Sequence, residues 1–93
     1  MKILLTGVAG FIGFHIAKSL ISHEYEVIGV DNINNYYDVE LKNNRLKILD
    51  DLGVSFFKGD ISNSRFVNNI FNNTKIDYVI HLADQAGVEL LYW

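Results

Sequence analysis

The sequence predicts an α/β chain, with a parallel four-stranded sheet in the order 3-2-1-4 and helices on both faces. Three observations carry that expectation. Short, near-continuous apolar runs alternate with longer segments whose apolar residues recur at helical spacing. Strands that are apolar on both faces are the habit of parallel sheets, because crossover helices cover each side. Glycines stand where a strand must hand over to a helix or a helix must stop.

The elements follow in order. Lys2 to Leu5 is a short apolar run closed by Thr6-Gly7, and reads as a buried first strand. From Gly13 the period changes: Gly13, Ile16, Ala17 and Leu20 share one helical face, while His15, Lys18, Ser19 and Ser22 share the other. This helix is expected to end near His23-Glu24. Glu26 to Asp31 supplies Val27, Ile28 and Val30 as a second strand. Asn32 to Asp38 is rich in Asn and Tyr and reads as a loop. Val39 to Leu52 carries Leu41, Leu46, Ile48, Leu49 and Leu52, a second helix with Gly53 as its stop. Val54 to Lys58 is a third strand, ending in Gly59-Asp60. Ser62 is placed to cap a third helix with the apolar face Phe66, Val67, Ile70 and Phe71, terminated by Asn72, Asn73 and Thr74. Asp77 to Leu82 holds Tyr78, Val79 and Ile80 as a fourth strand.

Composition bounds the partners. The chain has 93 residues, 49% of them apolar, enough for one small domain with a core. A net charge of −3 argues against nucleic acid, whose phosphates call for a basic surface, and no polybasic stretch suits an anionic membrane. With no cysteine there is neither a disulfide framework nor a thiolate metal site, and the three histidines lack metal-ligand spacing. No apolar run approaches the ~18 residues that span a bilayer, and Met1 to Leu5 is too short for a signal-peptide core. The expected location is cytoplasmic. His15 and His23 read as solvated helix residues, and His81 as a packed strand residue rather than a catalyst.

The informative motif is Thr6-Gly7-Val8-Ala9-Gly10-Phe11-Ile12-Gly13. Gly7 permits a tight turn out of the strand, Gly10 lets backbone approach a pyrophosphate, and Gly13 lies on the helix face expected to meet the sheet. The N–H groups at the start of the helix then face the phosphates. Ordinary turn glycines are the alternative, but the strand before and the amphipathic helix after favour a dinucleotide site, in half of a Rossmann fold. The spacing is G-x-x-G-x-x-G rather than G-x-G-x-x-G. It resembles the extended short-chain dehydrogenase/reductase family of NAD-dependent nucleotide-sugar epimerases and dehydratases.

Asp31 ends the second strand, where a carboxylate can accept hydrogen bonds from both ribose hydroxyls and repel a 2′-phosphate. No arginine follows closely, so NAD is expected rather than NADP. The family resemblance implies that Asp60 and Ile61 contact the adenine and that backbone at Leu82 and Ala83 passes the cofactor; Asp60 is equally well placed to cap the next helix. With Phe11, Ile12 and Asn32 these residues complete the cofactor-binding set: Gly7, Gly10, Phe11, Ile12, Gly13, Asp31, Asn32, Asp60, Ile61, Leu82 and Ala83.

The segment Asp31-Asn32-Ile33-Asn34-Asn35-Tyr36-Tyr37-Asp38 resembles the UDP-glucuronate 4-epimerase branch. So do Val39-Glu40-Leu41-Lys42, Arg45-Leu46, Phe57-Lys58-Gly59-Asp60-Ile61, His81-Leu82-Ala83 and Gln85-Ala86-Gly87-Val88. The resemblance covers residues 1–88. It implies an enzyme that oxidises a UDP-sugar at C4 with bound NAD and returns the hydride to the other face, using a Tyr-x-x-x-Lys base. That motif is absent: Tyr25, Tyr36, Tyr37 and Tyr78 are followed four positions later by Gly29, Glu40, Leu41 and Leu82. Two further departures are Asp84, where the family usually has alanine, and the tail Glu89-Leu90-Leu91-Tyr92-Trp93. The expectation is therefore a truncated NAD-binding domain, 1–88, with a divergent tail, 89–93, no catalytic base and no metal. A UDP-sugar is expected as substrate only in a full-length relative. Alternatives are a non-catalytic nucleotide-binding or interaction module, self-associating through an exposed strand edge, or a truncated product without function.

Overall fold

In a computed structural model, residues 1–33 and 39–83 are described. They form β1 (Lys2–Thr6), α1 (Phe11–Ser22), β2 (Glu26–Asp31), α2 (Val39–Asp51), β3 (Ser55–Lys58), α3 (Ser64–Asn73) and β4 (Tyr78–His81). The four strands make one sheet in the order β3-β2-β1-β4. Every pairing is parallel: Thr6 lies opposite Val30 and His81, and Asp31 lies opposite Lys58. The architecture matches the sequence expectation, and it brings the carboxyl ends of β1, β2 and β4 to one edge.

Alternation along the strands divides the core between two faces. Leu5 and Val27 point to one face and pack with Val8, Phe14, Ala17, Leu49 and Val54 beneath α1 and α2. Leu4, Ile28 and Val30 point to the other and pack with Ile70 of α3. Helices therefore lie on both faces, as right-handed crossovers require.

The local differences from expectation have identifiable causes. α1 begins at Phe11, two residues before the periodic stripe, because Gly10 takes the N-cap position and its carbonyl accepts from Phe14 N–H at 2.9 Å. Phe14, which the stripe omitted, is buried beside Gly13 and Ala17. In α2, Leu41, Ile48 and Leu52 stay largely exposed, whereas Lys42 and Leu49 are buried and Leu46 is partly so. Positions 42, 46 and 49 share the inward face at i, i+4 and i+7, so of the five apolar residues in this segment Leu46 and Leu49 turn inward. α3 is capped by Asn63, not Ser62: the Asn63 side chain accepts from Phe66 N–H at 3.2 Å. Ser62 lies one residue before that cap position, in a turn closed by its own N–H donating to Asp60 Oδ1 at 2.9 Å. Gly53, at φ 97°, stops α2 as expected. Tyr36, Tyr37, Asp84, Gln85 to Val88 and the tail 89–93 lie outside the described residues.

Candidate functional site

The site is built at the turn from β1 into α1. Gly7 has φ 73°, a conformation that costs a side-chain-bearing residue ~1–2 kcal/mol. A Cβ there would also stand 2.9 Å from Ala83 N and from the Leu82 carbonyl carbon and oxygen. Gly7 thus lets the loop lie directly on the end of β4. Gly13 has a different neighbour from the one expected. Its missing Cβ would overlap the Gly7 carbonyl and stand 3.1 Å from Val8 Cα. The helix rests on the loop it follows, and the glycine spacing closes the corner on itself. Gly10 N–H donates to Gly7 O at 3.1 Å, tightening the same turn. Gly10 contributes no side-chain cap, so the first amides of α1 are left for an outside acceptor. Phe11 and Ile12 present 65% and 62% of their surface to solvent, unlike core residues of this type.

Thr6 was not among the expected site residues, and it anchors the corner. Its hydroxyl oxygen accepts from Leu82 N–H at 2.9 Å and from Ala83 N–H at 3.1 Å. The same oxygen lies 2.7 Å from His81 Nδ1. With both lone pairs occupied, the Thr6 O–H must donate to Nδ1, which assigns the His81 proton to Nε2. His81 is exposed rather than packed, but it is held at the strand end by this bond. His15 and His23 are exposed, as expected for helix residues facing water.

Asp31 is buried, with only 6% of its surface exposed. Oδ2 accepts from Ala9 N–H at 3.0 Å, and Oδ1 accepts from Ile33 N–H at 2.9 Å. Lys42 Nζ lies 3.6 Å from Oδ1. A buried carboxylate without such partners would be costly, so the pair explains how an acid sits inside this corner. Arg45 reaches the same loop from the next turn of α2 and donates from Nη1 to Ala9 O at 3.0 Å. The absence of an arginine close behind Asp31 in sequence is thus offset by two cations that α2 folds back. Asn32 is exposed beside them.

Asp60 and Ile61 follow β3 at the same edge. Asp60 is exposed and does not cap α3; it closes a turn by accepting from Ser62 N–H. That backbone bond, helped by the Ser62 side chain, holds the Asp60 carboxyl below the usual carboxylate range. Ile61 is partly buried against the Leu4, Ile28, Val30 and Ile70 cluster. Leu82 and Ala83 are half-buried against Gly7 and Thr6. The expected residues therefore assemble along one edge, with Thr6, Lys42 and Arg45 added to them. Among the described residues no group of three or more His, Asp or Glu side chains is disposed to hold a metal ion. No helix among them is long and apolar enough to cross a membrane.

Comparison with known proteins adds to this geometry. Protein CapI of Staphylococcus aureus is 48% identical over 88 residues, 95% of this chain and 26% of that protein. UDP-glucuronate 4-epimerase 2 of Arabidopsis thaliana is 40% identical over 88 residues, covering 95% of this chain and 20% of that protein. The crystal structure of UDP-glucuronic acid 4-epimerase from Bacillus cereus in complex with NAD superposes with a TM-score of 0.77 at 36% identity. It matches 96% of this chain and 28% of its own. The chain thus spans between a fifth and just over a quarter of these relatives' length. The model of the family described as GDP-mannose 4,6 dehydratase matches residues 4–91, from β1 through the glycine corner and beyond β4. With nearly its whole length matched, the chain belongs to the GDP-mannose 4,6-dehydratase family.

Proposed function

We propose that this chain is the NAD-binding amino-terminal part of a nucleotide-sugar epimerase of the UDP-glucuronate 4-epimerase kind, inactive by itself. The observation that carries the reading is the glycine corner. Bare backbone at Gly7 and Gly13 closes the turn, and α1 opens there without a side-chain cap, beside the buried Asp31. The residues fit a dinucleotide. Gly7, Gly10, Phe11, Ile12 and Gly13 would receive the diphosphate and Asp31 and Asn32 the adenosine ribose. Asp60 and Ile61 would receive the adenine, and backbone at Leu82 and Ala83 would line the path toward the nicotinamide. NAD supplies reversible hydride transfer when bound. This chain's contribution is to bind and orient it, because the Tyr-x-x-x-Lys base is absent from the sequence. NAD bound to the Bacillus cereus relative supports the choice of cofactor.

A second reading is favoured by one observation. Among the described residues β4 is an edge strand of the four-stranded sheet, and Tyr78 and Val79 expose 59% and 51% of their surface. An apolar strand edge of that kind suits an interaction module that pairs with another chain. Titration of the purified chain with NAD separates the readings. Saturable binding, weakened in Asp31→Ala, supports the first. No binding together with a concentration-dependent dimer supports the second. With UDP-glucuronate and NAD the chain alone is expected to give no 4-epimer; turnover above background would refute the claim of inactivity.

A further inference from the structure

We infer that Arg45 is a positioning residue of the phosphate loop, fixing it from outside α1 and setting a cation behind the diphosphate. The inference rests on the dinucleotide reading above. α1 cannot fix its own entry, since its N-cap is Gly10, with no side chain to bond an amide. The loop is held by other elements. At Ala9 the N–H donates to Asp31 Oδ2 at 3.0 Å, and the carbonyl accepts from Arg45 Nη1 at 3.0 Å. One residue of the loop is gripped on its donor by a carboxylate from β2 and on its acceptor by a guanidinium from α2.

The guanidinium reaches the first turn of α1 as well. Its carbon lies 5.9 Å from the centroid of the Phe11 ring and 6.0 Å from that of Phe14. A planar, permanently charged group suits both tasks: it can bond a carbonyl in its plane and rest against ring faces. Held this way, the loop carries the Phe11 and Ile12 amides in a fixed direction, and the charge of Arg45 adds to the positive end of the α1 dipole. A ligand that carries a diphosphate senses both effects. A ligand that carries only the nucleoside senses neither.

The test uses the full 93-residue chain, with ADP-ribose and adenosine as probes in equilibrium dialysis. Arg45→Met is expected to weaken ADP-ribose about tenfold, the loss of one charge-assisted hydrogen bond, and to leave adenosine within about twofold. Arg45→Lys keeps the charge without the planar fork and is expected to be about threefold weaker for ADP-ribose. Equal losses for the two probes, or none, would overturn the inference. If Arg45→Met does not fold, Arg45→Lys decides the matter: binding of ADP-ribose equal to the natural chain overturns it. If the natural chain binds neither probe, the dinucleotide reading fails, and ligand-free amide spectra judge Arg45 alone. The Gly7 to Gly13 signals must then move in a variant, and an unchanged loop refutes the role.

Discussion

Gly13→Ala reverses the sign of an ordinary rule, and the structure says by how much. In an exposed helix interior, glycine to alanine stabilises by ~1 kcal/mol, because alanine loses less backbone entropy on folding. At Gly13 the added methyl would overlap the Gly7 carbonyl, and Val8 Cα stands 3.1 Å away. Both obstacles are backbone, so no side chain can swing aside. The loop is also tied by Gly7 N–H to Val30 O at 2.8 Å and by Ala9 N–H to Asp31, which resists its retreat. Overpacking of this kind costs ~3 kcal/mol, the upper end of the usual range. Set against the propensity gain, the net loss is about 2 kcal/mol, or a fall of roughly 8–16 °C in Tm for a domain this small. Gly53→Ala is the control. It has φ 97° but nothing within 4 Å of the added carbon, so only the left-handed backbone is penalised, at ~1 kcal/mol. Thermal and urea unfolding followed by circular dichroism measure both. A Gly13→Ala chain as stable as the natural one, or less affected than Gly53→Ala, would refute the closed glycine corner.

Other outcomes follow from the same contacts. Thr6→Val removes the hydroxyl on which Leu82 N–H and Ala83 N–H converge and should destabilise by ~1–3 kcal/mol, while Thr6→Ser stays near the natural chain in urea unfolding. Nitrogen chemical shifts of the neutral His81 ring should report the proton on Nε2, and the Nδ1–H tautomer would contradict the bond from Thr6. Asn63→Ala should cost ~1 kcal/mol of stability and Ser62→Ala less than ~0.5 kcal/mol, since only Asn63 caps α3. The folded carboxyl of Asp60 sits below its ordinary value, so its bond to Ser62 N–H contributes above that value and is lost as pH falls through the lowered one. Asp60→Asn should accordingly flatten the acid limb of a stability-pH curve, and an unchanged limb would count against the turn.

Much of the fold was legible because burial imposes short-range patterns. Val27, Ile28 and Val30 read as a strand covered on both faces, and Gly7, Gly10 and Gly13 are favoured over ordinary turn glycines by the strand before them and the amphipathic helix after them. What stayed hidden was set by contacts distant in sequence. Lys42 is charged, and charge normally marks the wet face of a helix, so nothing local shows that it turns inward to Asp31, eleven residues before it. Arg45 meets Ala9 across 36 residues. Thr6 looks like the last residue of a strand until β4 is laid beside β1 and its hydroxyl finds Leu82 and Ala83. The Asn63 cap was missed by one residue because Ser62 and Asn63 are both good caps, and only the turn closed by Asp60 decides between them.

The buried pair changes the argument for nucleotide choice. An unpaired carboxylate at Asp31 would reject a 2′-phosphate by charge alone. With Lys42 Nζ at 3.6 Å the local charge is nearly balanced, and that repulsion is weak. What remains is the geometry of acceptors. Oδ2 accepts from Ala9 N–H and Oδ1 from Ile33 N–H, so the carboxylate is fixed by the protein's own donors and a ligand would have to donate to the lone pairs these leave. Ribose hydroxyls are donors and a phosphate dianion is not. On the proposed dinucleotide reading, selection for NAD would follow from which partner can donate a hydrogen bond to Asp31, while Lys42 offsets the cost of burying that carboxylate.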